Sequence, residues 1–335
     1  MSSLGRTSHS LIVLLCCGWI GAFSETILYA QPLEFEQVGS ITAAADIVEL
    51  QDDHAYVAAG HAFTIYDLSD PSAPVRRGTY TFPEQIWGFK LTESRAYVGA
   101  NFFGLGILDI STPASPTLLG SFKSPGQAKI GALVETTVAL IDHMEGVVFV
   151  DLSNEAEPSQ IGTFFLEGYA RDIVTLGSMA YAVDSPTGLY VFDLSGTGPW
   201  EPVGELQGPS PPQRSTEVFD LSGGQERRIL CGVGGGDLQV YDVTDPVAPV
   251  KTAAFETPGR ALGVAIDGNL AYVADGQAGL QVVDLSTPSA PRVVGGFETE
   301  RPARDVAVGD SVVLVLVGEG SESEDWEVLV LAKGS

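Results

Sequence analysis

Trp87, Lys129, Arg171 and Arg304 stand at equivalent places in a 42-residue period, and Asp172 and Asp305 follow two of them directly. Ala45 and Leu262 hold the same place elsewhere, the first followed by Asp46. A second recurring set comprises His61, Asp142, His143, Glu145, Asp184 and Asp275. Guanidinium, ammonium and indole groups gathered at one mouth suit a polar ligand, with the planar guanidinium matched to a carboxylate. The same residue types at repeating positions also build ion-pair ladders between neighbouring units, and such ladders mimic sites. Both readings place Trp87, Lys129, Asp142, His143, Arg171, Asp172, Asp184, Asp275, Arg304 and Asp305 around a channel mouth.

The spacings of familiar catalytic motifs are missing. His143-Met144-Glu145 is not the HExxH pair of a zinc hydrolase. The glycines of "CGVGGGD" have no following helix to present to a phosphate. There is no serine elbow, and no cysteine has a histidine partner in the pattern. The acidic stretch "GEGSESEDWE" offers Glu319, Glu322, Glu324, Asp325 and Glu327 as oxygen ligands for calcium, although the EF-hand spacing is absent. No resident cofactor or metal is expected beyond that calcium option.

The elements that position these residues are read from an internal repeat. The phrase "AYVADGQAGLQVVDLSTPSAP" returns in weaker copies, and its aspartates fall at Asp67, Asp109, Asp151, Asp193, Asp242 and Asp284. Within each unit, short runs rich in Val, Ile, Tyr and Leu alternate with polar residues between Gly, Pro, Asp and Ser, the signature of short antiparallel strands. In the best copy they are 262–266, 270–274, 280–284 and 292–297, called a, b, c and d in chain order. Four strands in about 42 residues make one propeller blade. The aspartate with its following Ser or Thr closes its own turn.

Ala303-Arg304-Asp305-Val306-Ala307-Val308, "AYVADG" and "GLQVVDLSTPSAP" resemble the LVIVD repeat family. That resemblance implies a secreted bacterial β-propeller and lends no active site. Six aspartates mark six units, and the flanks supply a seventh. A proline seven residues past the aspartate opens strand d at Pro74, Pro116, Pro158, Pro249 and Pro291, with Trp200 standing in once. Strand a follows 14 residues later at Gly88, Ile130, Asp172, Gly263 and Asp305, and Pro32 and Asp46 share that interval. Leu33 to Ser40 is therefore expected to be the strand d that the chain's end lacks. The expected fold is all-β, a seven-bladed β-propeller of four-stranded antiparallel blades closed by the N-terminal strand. It occupies residues 31–335 as a single domain.

Residues 1–30 read as a secretory signal peptide, with Arg6 ahead of an apolar run too short to span a membrane. Lipidation at Cys16 or Cys17 is disfavoured by Leu15, which is not the small residue such processing needs. Once the signal is removed, Cys231 is the sole cysteine and reads as a small buried hydrophobe. The formal charge of −26 repels nucleic acid and anionic membranes. The expectation is thus an exported, monomeric binding protein in the periplasm, at the cell surface or outside, with a protein or polysaccharide partner. A hydrolase or lyase at the channel mouth, with or without a divalent cation, and a purely structural scaffold remain the alternatives. In a meander, parity puts the b–c and d–a connections on one face, where function is sought.

Overall fold

The computed structural model describes residues 33–42, 45–166, 168–185, 188–196, 198, 200–207, 216–220, 228–319 and 326–334. Residues 1–30, expected above to be a signal peptide, residues 208–215 and 221–227, and the acidic residues Glu322, Glu324 and Asp325 lie outside them. All the regular structure described is β. Seven four-stranded antiparallel sheets form a ring, a seven-bladed β-propeller. No helix is long and apolar enough to cross a membrane, among the described residues.

The first blade runs Ile47–Gln51, His54–Ala59, Ala62–Asp67 and Val75–Thr81 as strands a to d, each paired with the next. The other inner strands are Gly88–Leu91, Ala128–Val134, Tyr169–Leu176, Thr216–Asp220, Gly263–Asp267 and Ala303–Val308. Strands b and c are covered by blades on both sides, so their residues are apolar almost without alternation. Val312–Val317 is buried at all six positions. The core accordingly lies between blades: Ile41, Val48, Val57, Leu68, Leu314 and Val328 form one cluster joining the seventh blade to the first. Strand d faces solvent, and in Val75–Thr81 and Thr117–Phe122 the one fully buried residue is a glycine, Gly78 or Gly120.

Those glycines lock the blades together. A Cβ on Gly78, Gly120 or Gly204 would collide with the backbone of the next blade's c–d turn, at Pro113, Glu155 and Pro246. A register shift accompanies each of the first two, because a bulged residue lets the strand bend around its neighbour. The ring is closed by Phe35–Ile41, which pairs antiparallel with Glu327–Lys333. It carries the same device: Val38 is bulged, and a Cβ on Gly39 would collide with the Pro71 carbonyl of the first blade. Gly39 is thus the counterpart of Gly78, and Phe35 of Pro74. The closing strand therefore sits later than the interval from Pro32 implies, and the connection to strand a is two residues shorter than elsewhere. The conclusion drawn from that interval holds although the alignment behind it shifts.

The repeating aspartates close their turns. The amides of Ser69, Ser111, Ser153, Ser195, Thr244 and Ser286 donate to Asp67, Asp109, Asp151, Asp193, Asp242 and Asp284 at 2.7–3.0 Å. The amide between the aspartate and the Ser or Thr reaches across to the a–b turn, as in Leu68 N to Asp53 O at 2.7 Å and Leu285 N to Asn269 O at 2.8 Å. The a–b and c–d turns therefore share one face, which leaves the b–c and d–a connections on the other.

Candidate functional site

The inner strands surround an axial cavity of about 330 Å³ whose walls carry Glu49, Lys90, Lys129, Asp172, Glu217 and Asp305. A strand presents every second residue to one side, so Lys90 lies two residues beyond Gly88. Glu49 and Glu217 occupy the same level on blades one and five, as their cross-strand partners Tyr56 and Cys231 show. Blade six contributes only Gly263 and Ala265 at these levels and leaves room between the charged walls. Lys90 Nζ lies 3.3 Å from Glu49 Oε1, and Lys129 Nζ lies 3.7 Å from Asp172 Oδ1. Asp305 accepts a hydrogen bond from the Val48 amide at 3.3 Å, across the seam between the last blade and the first.

These charges sit deep in the molecule yet remain wetted, the Lys90 side chain keeping 36% of its exposure. Depth pushes the Glu217 carboxyl up to about 7, with Lys90 opposing the shift. It pushes Asp305 up to about 6, against the Val48 hydrogen bond. The facing carboxylates, Glu49 foremost, hold Lys90 well above its ordinary range. Chemically the cavity is a wet, mixed-charge chamber with two carboxyls that exchange protons near neutrality.

At the b–c and d–a mouth, the Trp87 ring lies 5.1 Å from that of His143. Lys129 donates to the Arg171 carbonyl at 2.7 Å, and the Arg171 side chain is exposed. The His143 pKa is lowered by burial first, then by Arg171 and Lys129, which outweigh Asp142. Trp87, Lys129, His143, Arg171 and Asp172 thus belong to one sector over blades two to four. Asp305 faces the cavity from blade seven. Arg304 turns to its own blade, donating to the Gly318 carbonyl at 3.2 Å with its guanidinium 5.6 Å from the Trp326 ring.

Asp142, Asp184 and Asp275 share another arrangement. Each is buried and accepts from the amide of a glycine in the incoming d–a connection: Gly126 at 2.8 Å, Gly168 at 3.0 Å and Gly259 at 2.8 Å. Asp142 also accepts from the Met144 and Glu145 amides at 2.8 and 3.1 Å. These carboxylates tie the connection to the b–c turn, and a side chain on Gly126 would strike Asp142 itself. Among the described residues, no three His, Cys, Asp or Glu side chains gather to hold a metal ion.

Sequence reasoning passed over two groups. Glu49, Lys90 and Glu217 were within reach of the strand period of two. Phe102, Met144 and Phe165, exposed by 51, 69 and 68%, lie on the b–c turns of blades two and three and on the connection from blade three to four. Being outside the repeating pattern is their only signal.

Four segments, residues 43–81, 88–124, 167–197 and 258–299, match the LVIVD repeat model. No curated protein matches the chain in sequence. Among solved structures, Raptor of Chaetomium thermophilum is similar at TM-score 0.71 and 12% identity, over 91% of this chain. The chain spans only 30% of Raptor's length. The β-propeller domain of Cps50 (Swd1) from Myceliophteria thermophila gives TM-score 0.69 at 9% identity, over 89% of this chain and 99% of that one. A chain of a mitotic checkpoint complex gives 0.65 at 10% identity, over 93% and 98%. At these identities the likeness is one of fold.

Proposed function

We propose that this LVIVD-repeat propeller is an exported, non-enzymatic binding protein that holds a macromolecular partner, protein or polysaccharide, on its b–c and d–a face. The carrying observation is the exposure of Phe102, Met144 and Phe165 there, beside Trp87 and the cations Lys129 and Arg171. Large apolar side chains on protruding loops contribute nothing to the inter-blade core, and grouped on one face they favour a partner that covers them. The turn aspartates are occupied in holding loops, which suits a rigid platform. Export agrees with the N-terminal signal pattern and with the strongly acidic composition.

The test is a photo-reactive residue placed at position 144, with a control at Asp70 on the opposite face, in the cell that makes the protein. A discrete cross-linked species is expected from position 144 and not from position 70. Cross-links confined to position 70, or absent from both, overturn the assignment of the face. Fractionation of the same cells tests export, since retention of the protein in the cytoplasm contradicts it.

A further inference from the structure

Three consecutive loops of the b–c and d–a face bring apolar side chains together. Ala128, where blade three begins, donates its amide to the Asn101 carbonyl at 3.0 Å and so joins the Phe102 turn to blade three. Met144 packs over Gly126, on the connection that leads there. A Cβ on Gly146 would lie 3.2 Å from Phe165 Cα, which sets that loop against the Met144 turn. Phe102, Met144 and Phe165 thus form a row on loops in mutual contact, more than half exposed at each position. Lys129 and Arg171 lie along its inner edge beside Trp87 and His143.

The row is unusual for its charge. The chain carries 43 acidic and 17 basic residues, so an anionic ligand is repelled over most of the surface. Around His143 two of those basic residues stand together, Lys129 donating to the carbonyl of the exposed Arg171 at 2.7 Å and lying 3.7 Å from Asp172, and each acts on the His143 ring more strongly than Asp142 does. An acidic segment laid along the row meets these two cations on its inner edge, which favours one site and one orientation over the rest of an acidic surface. Methionine and phenylalanine make no hydrogen bonds to the hydroxyls of a sugar, although a phenylalanine ring can stack on a sugar's C–H face. They do adapt to the apolar side chains of an extended polypeptide.

We propose that the surface over blades two to four docks an acidic peptide segment of a partner protein. Carboxylates of the segment meet Arg171 and Lys129, and its apolar residues cover Phe102, Met144 and Phe165. This rests on the face assigned under the proposed function, and it chooses protein over polysaccharide.

Fluorescence anisotropy on the whole mature protein tests it with three labelled peptides of roughly 12 residues at about 50 mM salt, where screening is weak. The first combines Asp and Glu with Phe and Leu, the second replaces the acids with Lys, and the third replaces Phe and Leu with Ser. The first is expected to bind at least about tenfold tighter than either other. The double variant M144S/F165S is expected to lose about tenfold in affinity, and Arg171→Gln to lose several-fold, with the loss shrinking at high salt. Unchanged melting temperatures in both variants show that the fold is intact. Equal binding of the Lys peptide, wild-type affinity in M144S/F165S, or binding of polygalacturonate in place of the peptide overturns the proposal. A cross-link at position 144 that excess acidic peptide fails to displace also overturns it while leaving the face assignment standing. Absence of that cross-link removes the face itself.

Discussion

Glu217 and Asp305 are carboxyl groups placed where ionisation is expensive, and the consequence appears in stability against pH. A carboxyl raised from 4.5 to about 7 in the folded state binds its proton more tightly folded than unfolded. Its contribution is complete below the unfolded value and is lost as pH rises towards 7. Wild-type stability is therefore expected to fall across this window by an amount on the order of 1–3 kcal/mol from Glu217, reduced by the wetness of the cavity. Glu217→Gln should flatten that part of the profile and gain stability at pH 8. Urea unfolding of both proteins between pH 5 and 8 checks this, and parallel profiles refute it. The sequence holds these residues in plain view but not their states. Asp172 lies 3.7 Å from a lysine ammonium, while Asp142, also repeated, accepts three backbone amides. Which way a carboxylate turns depends on rotamer and loop geometry that a 42-residue period does not encode.

The closing strand shows what a repeat reveals about an element and what it leaves out. Its existence follows from counting, because the last unit has three strands and the N-terminal segment has the pattern of the missing one. Its register does not, because the connection to strand a, two residues shorter than elsewhere, changes the interval on which alignment by proline depends, while the bulge at Val38 repeats the one before Gly78. The marker that survives is Gly39, set by contact with the next blade and not by the spacing of turns. Phe35 and Leu33 pack on the core between blades six and seven, and Ile41 and Val38 on that between seven and one. Removing residues 31–40 therefore strips two inter-blade cores as well as a row of backbone pairs. The melting temperature is expected to fall by roughly 10 °C or more. Gly39→Val, which leaves every strand in place, should destabilise by about 2 kcal/mol or more through the clash with Pro71. Calorimetry that finds either variant as stable as the wild type refutes this account of closure.

For the whole molecule, the net charge of −26 works against the compact state, since folding concentrates like charges that the open chain spreads apart. Raising sodium chloride from about 0.05 to 0.5 M should therefore raise the melting temperature, most steeply at the low end where the screening length changes most. A flat response would mean that local pairs such as Lys90 with Glu49 and Lys129 with Asp172 already balance the field. The architecture was legible because a repeat states it many times over. The binding surface was not, since Phe102, Met144 and Phe165 are departures from the repeat, and one sequence does not mark which departures matter. The pairing of residues 35–41 with 327–333 also sets the order of events during biosynthesis. The earlier segment must wait for the later one, so no ring closes until residues 327–333 have been made. A prematurely terminated chain keeps two open sheet edges for proteases and chaperones to recognise. The seam between residues 35–41 and 327–333 is in this sense a check that every blade has been made.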